Sequence, residues 1–167
     1  VDPARIAVGG ESAGGGLAAA LALKARDDGR FPVRHQHLTY PMLDDRTGSE
    51  AMPGDPTTGE FVWTRESNRF AWSRYLGGAS PAAPVVPARA EDLGGLPRTW
   101  MLTAALDLFR EENVAYAQRL MNAGVPTELV VYAGACHGFQ LAPASALGLR
   151  YADDHRAGLA WGLELAA

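Results

Sequence analysis

Cysteine is nearly absent: Cys136 is the only one in 167 residues, so no intrachain disulfide can form and a multi-thiolate metal site is excluded. That scarcity suits a reducing compartment. No apolar run approaches the roughly 20 residues that cross a bilayer as a helix, and Val1-Asp2-Pro3-Ala4-Arg5 has no signal-peptide core. The expectation is a soluble, cytoplasmic protein with no membrane partner. No block of Lys and Arg is present to track a phosphate backbone. The formal charge is −4, with both signs interspersed, so nucleic acid is not expected as a partner. Repeats and low-complexity segments are also missing. What remains is 47% hydrophobic and 20% charged, the composition of a globular chain rather than a disordered or fibrous one. The length fits a single domain, residues 1–167, with a real core.

Short apolar strands alternate with helical patterns. Ile6-Ala7-Val8 reads as a buried strand ended by Gly9-Gly10, and a helix follows over Ala13 to Ala25 with Leu17 and Leu21 one turn apart and small residues where packing must be close. A second strand spans Gln36 to Tyr40, and the Gly-, Pro- and Asp-rich residues 44–59 read as loop. Trp63 to Leu76 is helical and Thr99 to Ala104 a third strand. A helix over Glu111 to Ala123 presents Val114, Ala117, Leu120 and Met121 on one face, and stops at Gly124 and Pro126. Thr127 to Tyr132 is a fourth strand, and Ser145 to Leu165 a long helix with Leu159 and Leu163 inward. This alternation implies an α/β fold: a parallel sheet flanked by helices, joined by right-handed crossovers. Ligand sites in such sheets lie at the carboxyl ends of the strands.

Three of those loops hold chemistry-bearing residues. The first, Gly9 to Gly16, contains G-x-S-x-G at Gly10 to Gly14. A serine on a tight strand-to-helix turn is pushed outward, and flanking glycines let the backbone pass. Ser12 then sits at a helix N-terminus, where developing negative charge is favoured, and the Ala13 N–H is placed to donate to an oxyanion. The plain alternative is a glycine-rich turn with Ser12 as N-cap. The second loop, after the third strand, carries Asp107, able to orient a histidine base or simply to act as a helix N-terminal cap or turn former. The third carries His137 between Cys136 and Gly138, either a base reaching Ser12 or a surface histidine. Cys136 reads as small packing, because neighbouring residues in an extended loop point apart. Taken together, Ser, Asp and His follow one another in chain order, each on the loop after a strand. That coincidence points to a nucleophilic triad of Ser12, His137 and Asp107.

The chain resembles the bacterial hormone-sensitive-lipase-like esterases of the α/β-hydrolase superfamily. The residues that carry this are Ile6 to Gly15 (IAVGGESAGG), Tyr40 to Arg46 (YPMLDDR), Trp72 to Gly77 (WSRYLG), Asp107 to Glu112 (DLFREE) and Tyr132 to Phe139 (YAGACHGF). The resemblance implies Ser12 as nucleophile, His137 as general base and acid, and Asp107 as its orienting partner. It also implies a small ester as substrate, short-acyl rather than long-chain, and no metal or organic cofactor. By the same resemblance this chain corresponds to the last four of the family's eight strands, its C-terminal half. The upstream H-G-G-G segment, which supplies most oxyanion donors, and the capping helices have no counterpart here. Two expectations follow. Loss of one oxyanion donor lowers turnover roughly 10²- to 10³-fold, so the isolated chain should be a weak catalyst. Its first strand should also be an open edge that pairs with another chain, as a homo-oligomer or with a missing N-terminal half.

Candidates for the substrate pocket are Glu11, Leu43, Trp63 and Phe139, with ordinary core packing as the alternative for the apolar ones. His35 and His37 alternate on a strand edge and could share a side, but no acidic or thiol partner stands at ligand spacing, so a structural role is expected. Asp44-Asp45-Arg46 reads as a turn with a salt bridge. Two other classes of function stay open: a non-catalytic binding module, as in hormone-receptor relatives of the family, and an interaction protein using its open half-sheet.

Overall fold

The alternating pattern folds as a four-stranded, wholly parallel sheet in the order β1-β2-β3-β4. The computed structural model describes residues 2–164. The strands are β1 (Ala7–Glu11), β2 (His35–Thr39), β3 (Arg98–Ala104) and β4 (Thr127–Tyr132), and the helices α1 (Ala13–Asp28), α2 (Arg65–Leu76), α3 (Arg110–Asn122) and α4 (Ala146–Leu163). Registers such as Glu11↔Thr39, Thr39↔Leu102 and Ala104↔Tyr132 bring the carboxyl ends of all four strands to one rim. Among the described residues, no helix is long and apolar enough to cross a membrane.

Period-two alternation sorts the side chains onto two faces. Leu38 and Met101 turn toward α1 and α3, where they meet Ala19, Leu23, Tyr116 and Leu120. Trp100, Leu102 and Tyr132 turn to the other face, packing with Tyr151 and Trp161 of α4. A third cluster of Met42, Trp72, Val86 and Phe109 fastens α2 beside the rim.

Several expectations are corrected. The first strand does not stop at Gly9-Gly10 but runs through both glycines to Glu11. The buried face of α1 is made, as expected, mostly of small residues, including Gly15, Gly16, Ala18, Ala19 and Ala22 beside Leu23, but Leu17 and Leu21 are 54% and 47% exposed. Close helix–sheet approach selects small side chains, so the large apolar pair marks the outward face instead. In α3, Ala117 and Leu120 are buried as expected, whereas Val114 and Met121 are exposed and Tyr116 takes the inner position.

The most buried positions of α4 are likewise glycines. They are Gly148, Gly158 and Gly162, beside the sheet-packing Tyr151 and Trp161, with Leu159 and Leu163 only half-buried. A Cβ on Gly158 would stand 2.6 Å from the Trp100 ring, and one on Gly162 2.3 Å from the His35 ring. The expected end of this helix at Leu165 lies outside the described residues.

Candidate active site

Because β1 continues to Glu11 and α1 starts at Ala13, Ser12 alone makes the turn between them. Its φ of 55° and ψ of −123° lie in a region that costs a non-glycine residue about 1–3 kcal/mol. Backbone bonds hold it there: its N–H donates to Thr39 O at 3.0 Å, and its carbonyl accepts from Met42 N at 3.0 Å and Gly16 N at 3.1 Å. Gly10 is required by the same turn, since a Cβ there would lie 2.4 Å from the carbonyl carbon of Gly14. The Ser12 side chain makes no capping bond to the helix, so the N-cap alternative is set aside. Ala13 opens α1, where first-turn N–H groups have no intrahelical acceptor.

Asp107 follows β3 in a tight turn, its N–H donating to Ala104 O at 3.1 Å. It is almost fully buried, and Oδ1 accepts the Phe109 N–H at 2.9 Å. Oδ2 lies 2.7 Å from His137 Nδ1, and His137 Nε2 lies 3.0 Å from Ser12 Oγ. A carboxylate can only accept, so Nδ1 carries the hydrogen and Nε2 is left to accept from the serine hydroxyl. One Asp107 oxygen thus faces the turn backbone and the other the imidazole. Three rings surround the imidazole, with centroids 4.5 Å (Tyr40), 5.5 Å (Phe109) and 5.9 Å (Trp63) from its own. Such a row can take the hydroxyl proton onto nitrogen while the carboxylate stabilises the cation formed.

The pocket candidates separate. Trp63 is half-buried beside His137, with Nε1–H donating to Asn68 Oδ1 at 3.2 Å. Leu43 is fully buried in the core beneath α3, so its side chain lines no opening. Phe139 packs inside an aromatic group with Tyr40, Tyr132 and Tyr151. Glu11 is exposed, but both its oxygens accept hydrogen bonds from within the protein. Tyr40 and Phe109, which wall in the imidazole, went unidentified from sequence; they adjoin the chemistry-bearing loops, but no periodicity marks them.

Two further features stand near the site. Glu112, in the first turn of α3, is buried, with Oε1 accepting the Leu43 N–H at 2.6 Å and Oε2 unpartnered. Burial pushes its carboxyl well above the usual carboxylate range. It braces the chain leaving β2, the same segment whose Met42 N–H bonds Ser12 O. His35 and His37 do share a side, but β2 is an interior strand rather than an edge. They form a buried row: His35 Nδ1 lies 2.9 Å from Arg98 O, His35 Nε2 3.1 Å from His37 Nδ1, and His37 Nε2 3.0 Å from His155 Nδ1. Among the described residues, no group of three or more His, Cys, Asp or Glu side chains is placed to hold a metal ion. Asp44 pairs with Arg46 within the turn, as expected, and Asp45 pairs instead with the distant Arg89.

Comparison with known proteins points the same way. A family model for the alpha/beta hydrolase fold matches residues 1–141. Esterase LipI of Mycobacterium tuberculosis is 34% identical over 142 residues, covering 83% of this chain and 43% of LipI. An ethyl acetate hydrolase of Pseudomonas putida is 32% identical, covering 83% of this chain and 44% of its own. The solved structure of a bacterial heroin esterase superposes with a TM-score of 0.89 at 42% identity, covering 98% of this chain and 53% of that one. The chain thus spans about half the length of the relatives it matches. It belongs to the α/β-hydrolase fold family, on the hormone-sensitive-lipase-like esterase branch that its motifs resemble.

Proposed function

We propose that this chain carries the catalytic triad of a serine carboxylesterase acting on short-acyl esters. The observation that carries the reading is the continuous row from Ser12 Oγ through His137 to Asp107, with separations of 3.0 and 2.7 Å. Ser12 Oγ attacks the ester carbonyl carbon as His137 Nε2 takes its proton, and Asp107 stabilises the imidazolium. The tetrahedral oxyanion accepts from the Ala13 N–H at the start of α1, where the helix dipole also favours it. Collapse expels the alcohol, which takes the proton from Nε2, and leaves an acyl-serine. Water, deprotonated by the same nitrogen, then attacks the acyl carbon, and Ser12 Oγ leaves with the proton. A relative named for ethyl acetate supports the short-acyl preference.

The test is hydrolysis of p-nitrophenyl acetate and butyrate by the parent and by Ser12→Ala. We expect at least a roughly 10³-fold loss in the variant, and acetate and butyrate turned over faster than the palmitate ester. Equal rates in parent and variant would refute the reading.

A further inference from the structure

Glu11, one residue before Ser12, is the point at which four structural elements meet. From α4, the Tyr151 hydroxyl donates to Oε1 at 2.8 Å. From the 3₁₀ turn Phe139–Leu141, just beyond His137, Gln140 Nε2 donates to Oε2 at 2.8 Å. The Tyr151 oxygen is also 3.3 Å from Thr39 Oγ1. Thr39 is the β2 residue in register with Glu11, and its carbonyl receives the Ser12 N–H. Both Glu11 oxygens are therefore engaged by neutral donors of the protein.

Residues 12 and 137 are far apart in sequence, and nothing covalent sets the distance between them. Besides the Ser12–His137 bond itself, the Gln140–Glu11 bond is the side-chain hydrogen bond that joins their two segments among the described residues. The His137 segment has a second anchor in Phe139, seated among Tyr40, Tyr132 and Tyr151. On the other side, the strained turn at Ser12 persists only where its surroundings over-determine it.

We propose that Glu11 is a positioning residue: its carboxylate, gripped by Tyr151 and Gln140, ties the His137 loop to the nucleophile turn and sets the Ser12–His137 separation. The proposal rests on the triad reading of Ser12, His137 and Asp107. It assigns Glu11 the geometry of its hydrogen bonds rather than its charge. An amide in place of the carboxylate can keep that geometry, because Gln140 Oε1 is buried without a partner and its amide can turn over to accept.

The experiment compares Glu11→Ala, Glu11→Gln and Gln140→Ala, the last a change to a half-buried turn residue. With p-nitrophenyl acetate, Glu11→Ala should lower kcat by about tenfold or more with KM within about twofold, as expected when reacting groups drift apart. Glu11→Gln should return to within about threefold of the parent, and Gln140→Ala should fall between them. In proton NMR, the Nδ1 hydrogen between His137 and Asp107 should broaden in Glu11→Ala and Gln140→Ala and stay sharp in Glu11→Gln. Equal losses in Glu11→Gln and Glu11→Ala would overturn the proposal, because charge would then be the cause. An unchanged Nδ1 resonance in Glu11→Ala would overturn it too. A parent with no Ser12-dependent turnover would instead refute the esterase reading, and the NMR comparison would still decide the positioning role.

Discussion

Acid should loosen this fold through His37, and the size of the effect follows from its surroundings. The Arg98 carbonyl can only accept, so His35 Nδ1 must donate to it. His37 Nδ1 then donates to His35 Nε2, and His155 Nδ1 to His37 Nε2, which assigns one tautomer to all three neutral rings. Protonating His37 would set N–H against N–H across 3.0 Å. Burial, and then the neighbouring His155 and His35, lower its pKa to about 3 from 6.5. The folded state thus stays neutral where the unfolded chain gains a proton. The stabilisation is intact above pH 6.5 and is lost as pH falls toward about 3. Each pH unit in that window costs about 1.4 kcal/mol, so about 2 kcal/mol is lost between pH 6.5 and 5. Urea unfolding of the parent and of His37→Gln at pH 7 and 5 measures it. The variant should be less stable at pH 7, having lost both ring bonds, yet fall by about 2 kcal/mol less on acidification. Parallel declines in the two proteins would refute the reasoning.

Glu112 should act with the opposite sign. Its raised pKa keeps it protonated in the fold while the unfolded chain ionises near 4.5, so its contribution is present at low pH and lost as pH rises. Glu112→Gln should keep the acceptor for Leu43 N–H, and its stability advantage in urea should widen from pH 5 to 8; a constant gap would count against this. Gly162→Ala should cost about 1–3 kcal/mol by overpacking, because the new Cβ meets a His35 ring already pinned at both nitrogens. A thermal scan showing an unchanged Tm would disprove that tight contact.

The α/β class and the three chemistry-bearing loops were legible because they depend on local signals. Strand-like runs alternate with helical ones, and Ser12, Asp107 and His137 each stand just beyond a strand. Pattern failed where packing reversed the usual weight of side-chain size. In α1 Leu17 and Leu21 face out while, Leu23 apart, alanines and glycines face in, and α4 seats Gly158 and Gly162 against Trp100 and His35. The pocket candidates fared unevenly for a related reason. Leu43 and Phe139 lie near the chemistry-bearing loops but are consumed by the core, a distinction that depends on which way each side chain turns.

The sequence by itself determined the parallel βαβ order, the turn at which Ser12 stands and the identity of the groups facing it. Each is settled within a few residues, by glycine spacing, by hydrophobic period or by position after a strand. Only the tertiary structure decided the 3.0 and 2.7 Å separations, the aromatic walls around His137, the burial of Glu112 and the engagement of Glu11 by Tyr151 and Gln140. Those relations join residues 28 to 140 positions apart. Sequence spacing carries no signal for such pairs, because the sheet registers and the seating of α4 bring them together.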